Sequence, residues 1–451
     1  MRLYRYRNIK RGKEELHDQK IFFADRDSLN DPMEGYAQVY WQGDEIAWQG
    51  LFSNYICSVD MSIIRYALKR DERFIKESAA LVDVHSFDDV PYGDRLSDLR
   101  NEFLKNEDIH KLLALLGAIN EPIERNELKF ILGQIHHFAF ALCMRSQIRN
   151  NLTPDANGEL LKFTYRLEKM SSFFLCEELL KNEKENRHKI VRLHDDFLKK
   201  IDLLLLKDDE RDRAWNAILS DFPGNYIEKI IDMIHHTTYI ACFSLRPDSS
   251  PMWGHYAQNH EGICIIYETS KKDGKDVIPF TNNYPMEARK VNYGTYMTRM
   301  NFFTMLGRLN RKQIASWLND EKGTESSCAK EMYDDEDAWR SIYWDFLYDR
   351  YSNKPTDWKY EQEYRLIFPD FMYEYEEKDE NGNKKKVLFE YDFASIKGVI
   401  FGIRTTLADK MEIKAILEDK CREHELKMPE FYQAECDGMS NSIQVNRING
   451  F

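Results

Sequence analysis

Apolar and polar positions alternate in the first residues of the chain. The segment RLYRYR has the period of two that is typical of a β-strand. Leu3, Arg5 and Arg7 fall on one face of this strand, and Tyr4 and Tyr6 fall on the other. The same period returns much later, in YIACFSL, GICIIYE and DWKYEQEYRLIF. The pattern therefore predicts a sheet assembled from segments that are far apart in the chain.

Between these strands the period becomes helical. In the clearest helix, Ile190, Leu193 and Phe197 recur at spacings of three and four and form an apolar stripe on a charged helix. Near the C-terminal end, a hairpin with a type I′ turn is predicted at Asn381-Gly382.

This pattern predicts an α+β fold whose α/β core is interrupted by helices. The predicted core comprises residues 1–55, 236–298 and 350–425, the helical insertions comprise 60–235 and 300–349, and a C-terminal extension comprises 426–451. An insertion as long as the first is tolerated where its two ends lie close together.

Composition narrows the class of protein. The net charge of −13 disfavours a long nucleic-acid track, which depends on neutralising phosphates with basic residues. The eight cysteines form no C-x-x-C pair, which is typical of free thiols in a reducing cytosol. The first residues are charged and lack an apolar signal segment, and the most apolar window, 130–144, is too short to span a bilayer. We expect a cytoplasmic protein without a membrane partner.

The stretch CFSLRPDSSPMWGHYAQNHEGICIIYE is the first candidate site. It places Ser244 at a strand end, followed by a short helix that carries Met252, Trp253 and Tyr256. One interpretation is a strand–helix–strand corner in which these side chains are core. The other is an aromatic wall that stacks a flat ring such as nicotinamide or adenine.

The segment YEQEYR is the second candidate. On an extended strand, Glu361, Glu363 and Arg365 share one face, with the carboxylates about 7 Å apart. They are either a solvated edge or a pair of acids for chemistry at a sugar centre, where carboxylates support an oxocarbenium-like transition state. Arg5 and Arg7 form a third candidate, because guanidinium groups bind phosphates and buried carboxylates.

Several common motifs are missing from the sequence. It contains no G-x-G-x-x-G, P-loop, H-E-x-x-H or G-x-S-x-G segment, and no histidines at metal-ligand spacing, so we expect no metal. A metal-dependent nuclease remains an alternative, built on the acidic residues Asp345, Asp357, Glu361 and Glu363.

Several blocks together resemble a bacterial family known as domain of unknown function 2971. They are LYRYR, LNDPMEG, CFS with MWGHYA and GICIIYE, WKYEQEYRLI, and GVIFGI. The resemblance covers the three core pieces and not the helical insertions. The family name implies no activity.

A more distant resemblance does imply an activity. An arginine on the first strand, a serine on a middle strand and E-x-E on a late strand resemble the R-S-E layout of ADP-ribosyltransferases, including toxins that modify DNA. That resemblance implies a split-sheet core and NAD as substrate. It implies catalytic roles for Arg7, Ser244, Glu361 and Glu363, with Glu363 on the nicotinamide ribose and Glu361 on the acceptor side.

The same resemblance implies a set of NAD-binding residues, which are Arg5, Asn30, Trp253 and Tyr256. The middle strand reads C-F-S instead of a hydroxyl-rich run, which departs from the R-S-E pattern at Ser244. The expected function is an NAD-dependent ADP-ribosyltransferase-like enzyme that acts as a bacterial toxin or phage-defence effector on nucleic acid or protein. The alternative to both enzymes is a non-catalytic module that binds a nucleotide or a partner, with the helical insertion as the partner surface.

Overall fold

The computed structural model describes residues 1–31, 34–35, 37–69, 93–205, 213–235, 237–281, 285–294, 298–369, 387–440 and 442–450. The chain divides into two units. The sheet unit comprises Met1–Ala37, His236–Thr298 and Asp345–Phe451, and the helical unit comprises Gln38–His235 and Arg299–Trp344. Helices and strands both contribute heavily, as the sequence predicts, so the fold is mixed α and β.

In the described part of the sheet unit, ten strands form one sheet. They are β1 (Arg2–Arg7), β2 (Lys20–Asp25), β3 (Thr238–Ser244), β4 (Ile263–Glu268), β5 (Arg289–Lys290), β6 (Glu363–Pro369), β7 (Val387–Glu390), β8 (Ile396–Phe401), β9 (Glu430–Asp437) and β10 (Ser442–Arg447). Their order is β5-β6-β3-β1-β4-β8-β9-β10, with β2 beside β3 and β7 beside β2. The β8–β9 pair is parallel and the other pairs are antiparallel.

Shorter elements complete the sheet unit. The helices are α1 (Ile9–His17), α2 (Ser250–Tyr256) and α3 (Leu407–Glu423), and the 3-10 turns are Arg26–Ser28, Thr356–Glu361 and Phe393–Ser395. Asn292–Tyr293 pairs with Asn353–Lys354, and Ser270–Lys272, Lys275–Ile278 and Met286–Glu287 form a small antiparallel sheet.

Apolar side chains fill both faces of the large sheet. Leu3 packs in one core cluster with Ile263 and Ile265, whereas Tyr6 packs in another with Cys264. Since successive residues of a strand point to opposite faces, this division confirms the two faces predicted for RLYRYR.

The sheet opens between β1 and β3. Strand β1 pairs with β4 along its whole length but pairs with β3 only where Tyr4 faces Ser244. Further along the same edge of β3, β2 takes the place of β1, with Ala24 opposite Ile240. The two N-terminal strands therefore diverge from a shared neighbour and leave a gap in the backbone ladder.

The guanidinium of Arg5 occupies this gap. Its Nη1 donates to the carbonyl of Cys242 on β3 at 2.9 Å, and its Nη2 donates to the carbonyl of Phe22 on β2 at 2.9 Å. Its Nε lies 3.0 Å from the carboxylate of Glu15 on α1. Buried carbonyl groups need hydrogen-bond partners, so Arg5 supplies what the missing ladder would have supplied.

Helices dominate the second unit. They are Glu45–Leu68, Gly93–Leu104, Glu107–Ala118, Arg125–Arg149, Glu159–Glu168, Phe173–Leu180, Lys184–Leu205, Arg213–Leu219, Phe222–Ile234, Arg311–Leu318 and Lys330–Asp334. Glu336–Arg350 crosses the division between the units, and a small sheet joins Gln38–Trp41, Ile123–Glu124 and Arg299–Asn301. The 3-10 turns of this unit are Phe302–Thr304 and Ser327–Ala329.

His136 lies in the core of this helical unit. Its Nδ1 is 2.8 Å from the hydroxyl of Tyr55, and its Nε2 is 2.7 Å from the carbonyl of Ile218. Both ring nitrogens are therefore used in packing the unit.

Two predicted boundaries are displaced. The first core piece ends at residue 37 instead of 55, because Gln38–Trp41 pairs with Arg299–Asn301 and the next helix, Glu45–Leu68, is almost wholly buried within the helical unit. The predicted C-terminal extension 426–451 is not a separate piece, since it supplies β9 and β10 to the large sheet.

The predicted strand across residues 357–368 is wrong in its first half. Thr356–Glu361 forms a 3-10 turn, and Gln362 has φ of 42°, in the left-handed region that ends regular structure. Strand β6 begins only at Glu363. The predicted turn at Asn381-Gly382 lies outside the described residues, while β7, just after it, pairs with β2.

The role of Arg5 gives the first testable prediction. Arg5→Met leaves two strand carbonyls and the buried Glu15 carboxylate without this partner, so we expect a loss of about 3–5 kcal/mol in the free energy of unfolding. Urea denaturation of the purified variant measures this loss. The matched control is Arg2→Met on the same strand, because the Arg2 side chain is 47% exposed and its nearest acid is 3.9 Å away. If both variants lose less than about 1 kcal/mol in the free energy of unfolding, Arg5 does not stabilise the opening between β1 and β3.

Candidate functional site

A cavity of about 200 Å³ lies where β1 and β2 diverge along β3. Strands β1, β2 and β3, helix α2 and the residues around the start of β6 all contribute to its wall. The lining includes Arg7, Ala24, Asn30, Glu34, Cys242, Ser244, Met252, Tyr256, Lys354, Glu361 and Glu363. The opening in the sheet is therefore where residues from distant parts of the sequence meet.

A short parallel ladder places a lysine beside the start of β6. Asn353–Lys354 pairs with Asn292–Tyr293, so that Lys354 is in register with Tyr293. The hydroxyl of Tyr293 accepts a hydrogen bond from the backbone N–H of Glu363 at 2.8 Å. This ladder fixes the ammonium of Lys354 next to the two glutamates of E-x-E.

Lys354 joins the two candidate carboxylates. Its Nζ is 2.7 Å from Oε2 of Glu361 and 3.3 Å from Oε2 of Glu363. The other oxygen of Glu361 accepts a hydrogen bond from the hydroxyl of Tyr256 at 2.6 Å. Glu361 and Glu363 are only 2% and 4% exposed, so the interpretation of E-x-E as a solvated edge is wrong.

Arg365 also holds Glu363. Its Nε and Nη2 donate to the two oxygens of Glu363 at 2.9 and 2.8 Å, which is a bidentate pair. Its Nη2 also contacts Glu34, whose other oxygen lies 3.7 Å from Lys354. We call these five buried residues the ion cluster: Glu34, Lys354, Glu361, Glu363 and Arg365.

Burial dominates the proton affinities in the ion cluster. Burial raises the pKa of Glu363, Lys354 lowers it and Glu361 raises it again, with a net pKa of about 7. Burial lowers the pKa of Lys354, but the charges of Glu363 and Glu361 outweigh it and raise that pKa above its usual range. Burial lowers the pKa of Arg365 to about 9. Burial is therefore the main reason that the pKa of Glu363 lies above its usual value.

Arg7 and Ser244 both line the cavity, but their environments differ. Arg7 is partly exposed and donates from Nε to Glu15 at 2.7 Å. Ser244 is fully buried; its hydroxyl donates to the backbone carbonyl of Glu361 at 2.6 Å and accepts from the N–H of Arg246 at 3.1 Å. Ser244 thus holds the turn that carries Glu361, and its predicted contact with nicotinamide stays a prediction.

Tyr256 and Asn30 meet at the wall of the cavity. The side-chain amide of Asn30 donates to the hydroxyl of Tyr256 at 2.9 Å, and that hydroxyl in turn donates to Glu361. Both residues line the cavity, and their predicted contact with NAD stays a prediction. The hydrogen-bond chain connects the exposed turn at Asn30 to the buried carboxylate.

Two predicted cofactor contacts need correction. Trp253 is fully buried, donates from Nε1 to the carbonyl of Pro247 at 2.8 Å and packs edge-on against Tyr6, so it is core and does not line the cavity. Arg5 reaches the cavity wall, but its guanidinium bonds to Cys242, Phe22 and Glu15 and is committed to the fold. Met252 fits both interpretations, since it lies in the core and at the cavity wall.

Sequence reasoning missed Lys354 and Glu34. Lys354 lies in none of the recognised blocks, and nothing in its neighbours marks it, because its register with Tyr293 joins segments sixty residues apart. Glu34 does lie in the block LNDPMEG, from which only Asn30 was predicted as a site residue. Its place in that block could have pointed to Glu34.

Comparison with known proteins gives one match. A family model described as "Protein of unknown function (DUF2971)" matches residues 252–366. The match includes the blocks MWGHYA and GICIIYE and nearly all of WKYEQEYRLI, and it supports placing this segment in that family. Neither the curated proteins nor the solved structures gave a match.

The described residues contain no helix both long and apolar enough to cross a membrane. They also contain no group of three or more His, Cys, Asp or Glu residues arranged to hold a metal ion.

The ion cluster predicts a large effect of removing its lysine. Lys354→Met leaves Glu361 and Glu363 buried with one cation fewer, and we expect it to cost about 3–5 kcal/mol in the free energy of unfolding. Lys397→Met is the matched control, since Lys397 is exposed and 3.6 Å from an exposed Glu268, and it should cost at most about 1 kcal/mol. Equal unfolding midpoints for the two variants would contradict the role given to Lys354.

The pKa of Glu363 predicts a pH-dependent stability. Its pKa in the folded chain, about 7, exceeds the usual 4.5, so the folded state holds the proton more tightly and loses this stabilisation as the pH rises from 4.5 to 7. Relative to Glu363→Gln, the wild type should lose up to about 1.4 kcal/mol per pH unit in that window. Parallel unfolding curves from pH 5 to 8 measure the difference, with the exposed Glu268→Gln as control. A constant difference between wild type and Glu363→Gln would disprove it.

Proposed function

We propose that the cavity binds the nicotinamide–ribose end of NAD and that the protein is an ADP-ribosyltransferase-like enzyme. The observation that carries this proposal is that Arg7, Ser244 and Glu363, from three strands distant in sequence, line one cavity. Ser244 and Glu363 are directly opposite each other in the sheet. With Glu361 beside them, two buried carboxylates and an arginine surround one space, which suits glycosyl transfer.

The proposed reaction breaks the bond between the anomeric carbon of the ribose and the ring nitrogen of nicotinamide. The bonding electron pair leaves with nicotinamide, whose ring nitrogen thereby loses its positive charge. The ribose passes through an oxocarbenium-like state. An oxygen or nitrogen of the acceptor then bonds to the anomeric carbon and releases its proton to a base.

The two carboxylates have separate roles in this proposal. Glu363 accepts a hydrogen bond from the nicotinamide ribose, and its negative charge stabilises the oxocarbenium-like state. Arg365 and Lys354 keep its carboxylate fixed, so little reorganisation is needed at the moment of reaction. Glu361, hydrogen-bonded to Tyr256, takes the acceptor proton. Arg7, partly exposed at the cavity, binds phosphate.

The proposal extends to acceptor and biological role. The acceptor is nucleic acid or protein, and the enzyme serves as a bacterial toxin or phage-defence effector. A net charge of −13 favours capture of a single base over a long nucleic-acid track, because one base needs few basic contacts. In this proposal the helical unit is the surface that binds a partner protein.

One observation favours a second candidate, a non-catalytic nucleotide-binding module. Both oxygens of Glu363 are already bonded to Arg365, and both oxygens of Glu361 are bonded to Tyr256 and Lys354. A carboxylate with these partners can be purely structural. This candidate predicts NAD binding without release of nicotinamide.

The test is release of nicotinamide from labelled NAD in the presence of mixed nucleic acid and protein. The wild type should release nicotinamide and label an acceptor. Glu363→Gln should lower the rate by about 10²–10³-fold, because it removes one preorganised charge. Glu268→Gln, an exposed carboxylate outside the cavity, is the matched control and should retain the wild-type rate.

Three results separate the candidates. Binding of NAD by the wild type without any nicotinamide release supports the binding module. Cleavage of nucleic acid that stops with EDTA supports the nuclease alternative. A Glu363→Gln variant that melts like the wild type at the assay pH and turns over NAD at the wild-type rate excludes Glu363 from catalysis.

A further inference from the structure

A second cavity of about 330 Å³ adjoins the first in the sheet unit. The two cavities share Arg7, Arg11 and Phe22 in their walls. We propose that this second cavity binds the adenosine end of a dinucleotide, with its pyrophosphate held at the shared wall by Arg7 and Arg11. The inference rests on the proposed function for the identity of the ligand in the first cavity.

Unpaired cations border the second cavity. Arg11 and Lys20 are both exposed, and no acidic side chain pairs with either of them in the part of the chain that the structure describes. Arg7 contributes a third cation, held in place through its Nε by Glu15. Guanidinium groups bind phosphate oxygens through paired donors. Arg7 and Arg11 lie in the wall that the two cavities share, while Lys20 and Glu15 line only the second cavity. Two guanidinium groups at the shared wall suit a pyrophosphate that links two nucleosides.

Part of the wall of the second cavity is apolar. Phe22 on β2 and Leu388 on β7 are paired across the two strands, and both line the cavity. Leu388 is 46% exposed, so its side chain is accessible to a ligand in the cavity. A phenyl ring beside a leucine offers a flat apolar surface for a purine ring.

Carboxylates complete the second cavity. Glu14 and Asp18, both exposed on α1 and at its end, line it together with the arginines. Carboxylates accept hydrogen bonds from ribose hydroxyl groups in other dinucleotide sites. The wall thus offers donors for phosphate, acceptors for ribose and an apolar surface for a base, which is the set of contacts that an adenosine diphosphate group requires.

ADP is the probe that tests the second cavity without the chemistry of the first. We expect ADP to bind the wild type, measured by calorimetric titration at low salt. Arg11→Gln should weaken binding about tenfold or more, since it removes a charge-assisted contact to phosphate. Leu388→Trp should weaken it to a similar extent by filling the apolar part of the cavity. Arg404→Gln removes an exposed arginine outside both cavities and should leave ADP binding unchanged.

Absence of ADP binding to the wild type would overturn the inference. So would equal ADP affinity in the wild type, Arg11→Gln and Leu388→Trp, provided that all three melt alike. The outcome is separable from the proposed function. If ADP behaves as expected but NAD is not cleaved, the second cavity stands and the catalytic proposal fails. If NAD is cleaved in a Glu363-dependent way while Arg11→Gln and Leu388→Trp keep the wild-type ADP affinity, the catalytic proposal stands and the inference about the second cavity fails.

Discussion

The site depends on the hydrogen bonds and the ion pair that the guanidinium of Arg5 makes. A β-sheet can open only if the backbone groups left at the opening find other partners. Arg5 bonds to a carbonyl on β3 and a carbonyl on β2 and is itself neutralised by Glu15 from α1. One buried side chain thus substitutes for two ladder bonds. The cavity exists because β1 and β2 can diverge without leaving these groups unsatisfied.

The ion cluster shows how the same fold concentrates charge at that opening. Three buried carboxylates lie beside two cations, Lys354 and Arg365, and each carboxylate contacts at least one of these cations. Removing charges from water costs free energy, so a buried ion cluster is weak evidence that the cluster stabilises the folded state. It does fix the geometry of Glu361 and Glu363 tightly. A fixed geometry is a property that both an electrostatic catalyst and a rigid binding site require.

The local pattern of apolar and polar residues predicted which strands the sheet unit contains better than it predicted where each strand begins and ends. The strands predicted at RLYRYR and GICIIYE are both present, as Arg2–Arg7 and Ile263–Glu268. RLYRYR alternates between two faces, whereas GICIIYE is a short apolar run of the kind typical of a fully buried strand. The alternation across WKYEQEYR was misleading, since Gln362 adopts a left-handed conformation and only the residues from Glu363 onward are extended. A single backbone torsion thus decided whether E-x-E was a strand motif or a turn followed by a strand.

The sequence by itself determined the residue types and the blocks that converge at the opening: the arginines of the first strand, Ser244, and the two glutamates of E-x-E. Only the tertiary structure decided whether each of these residues serves the fold or lines the cavity. Arg5 and Arg7 are alike in sequence and face, yet register and burial make Arg5 part of the fold and leave Arg7 at the cavity. The same holds for Trp253, which is buried, and for Lys354, which pairs with both glutamates. The physical reason is that these duties follow from hydrogen bonds and desolvation between segments far apart in the chain, which no local period encodes.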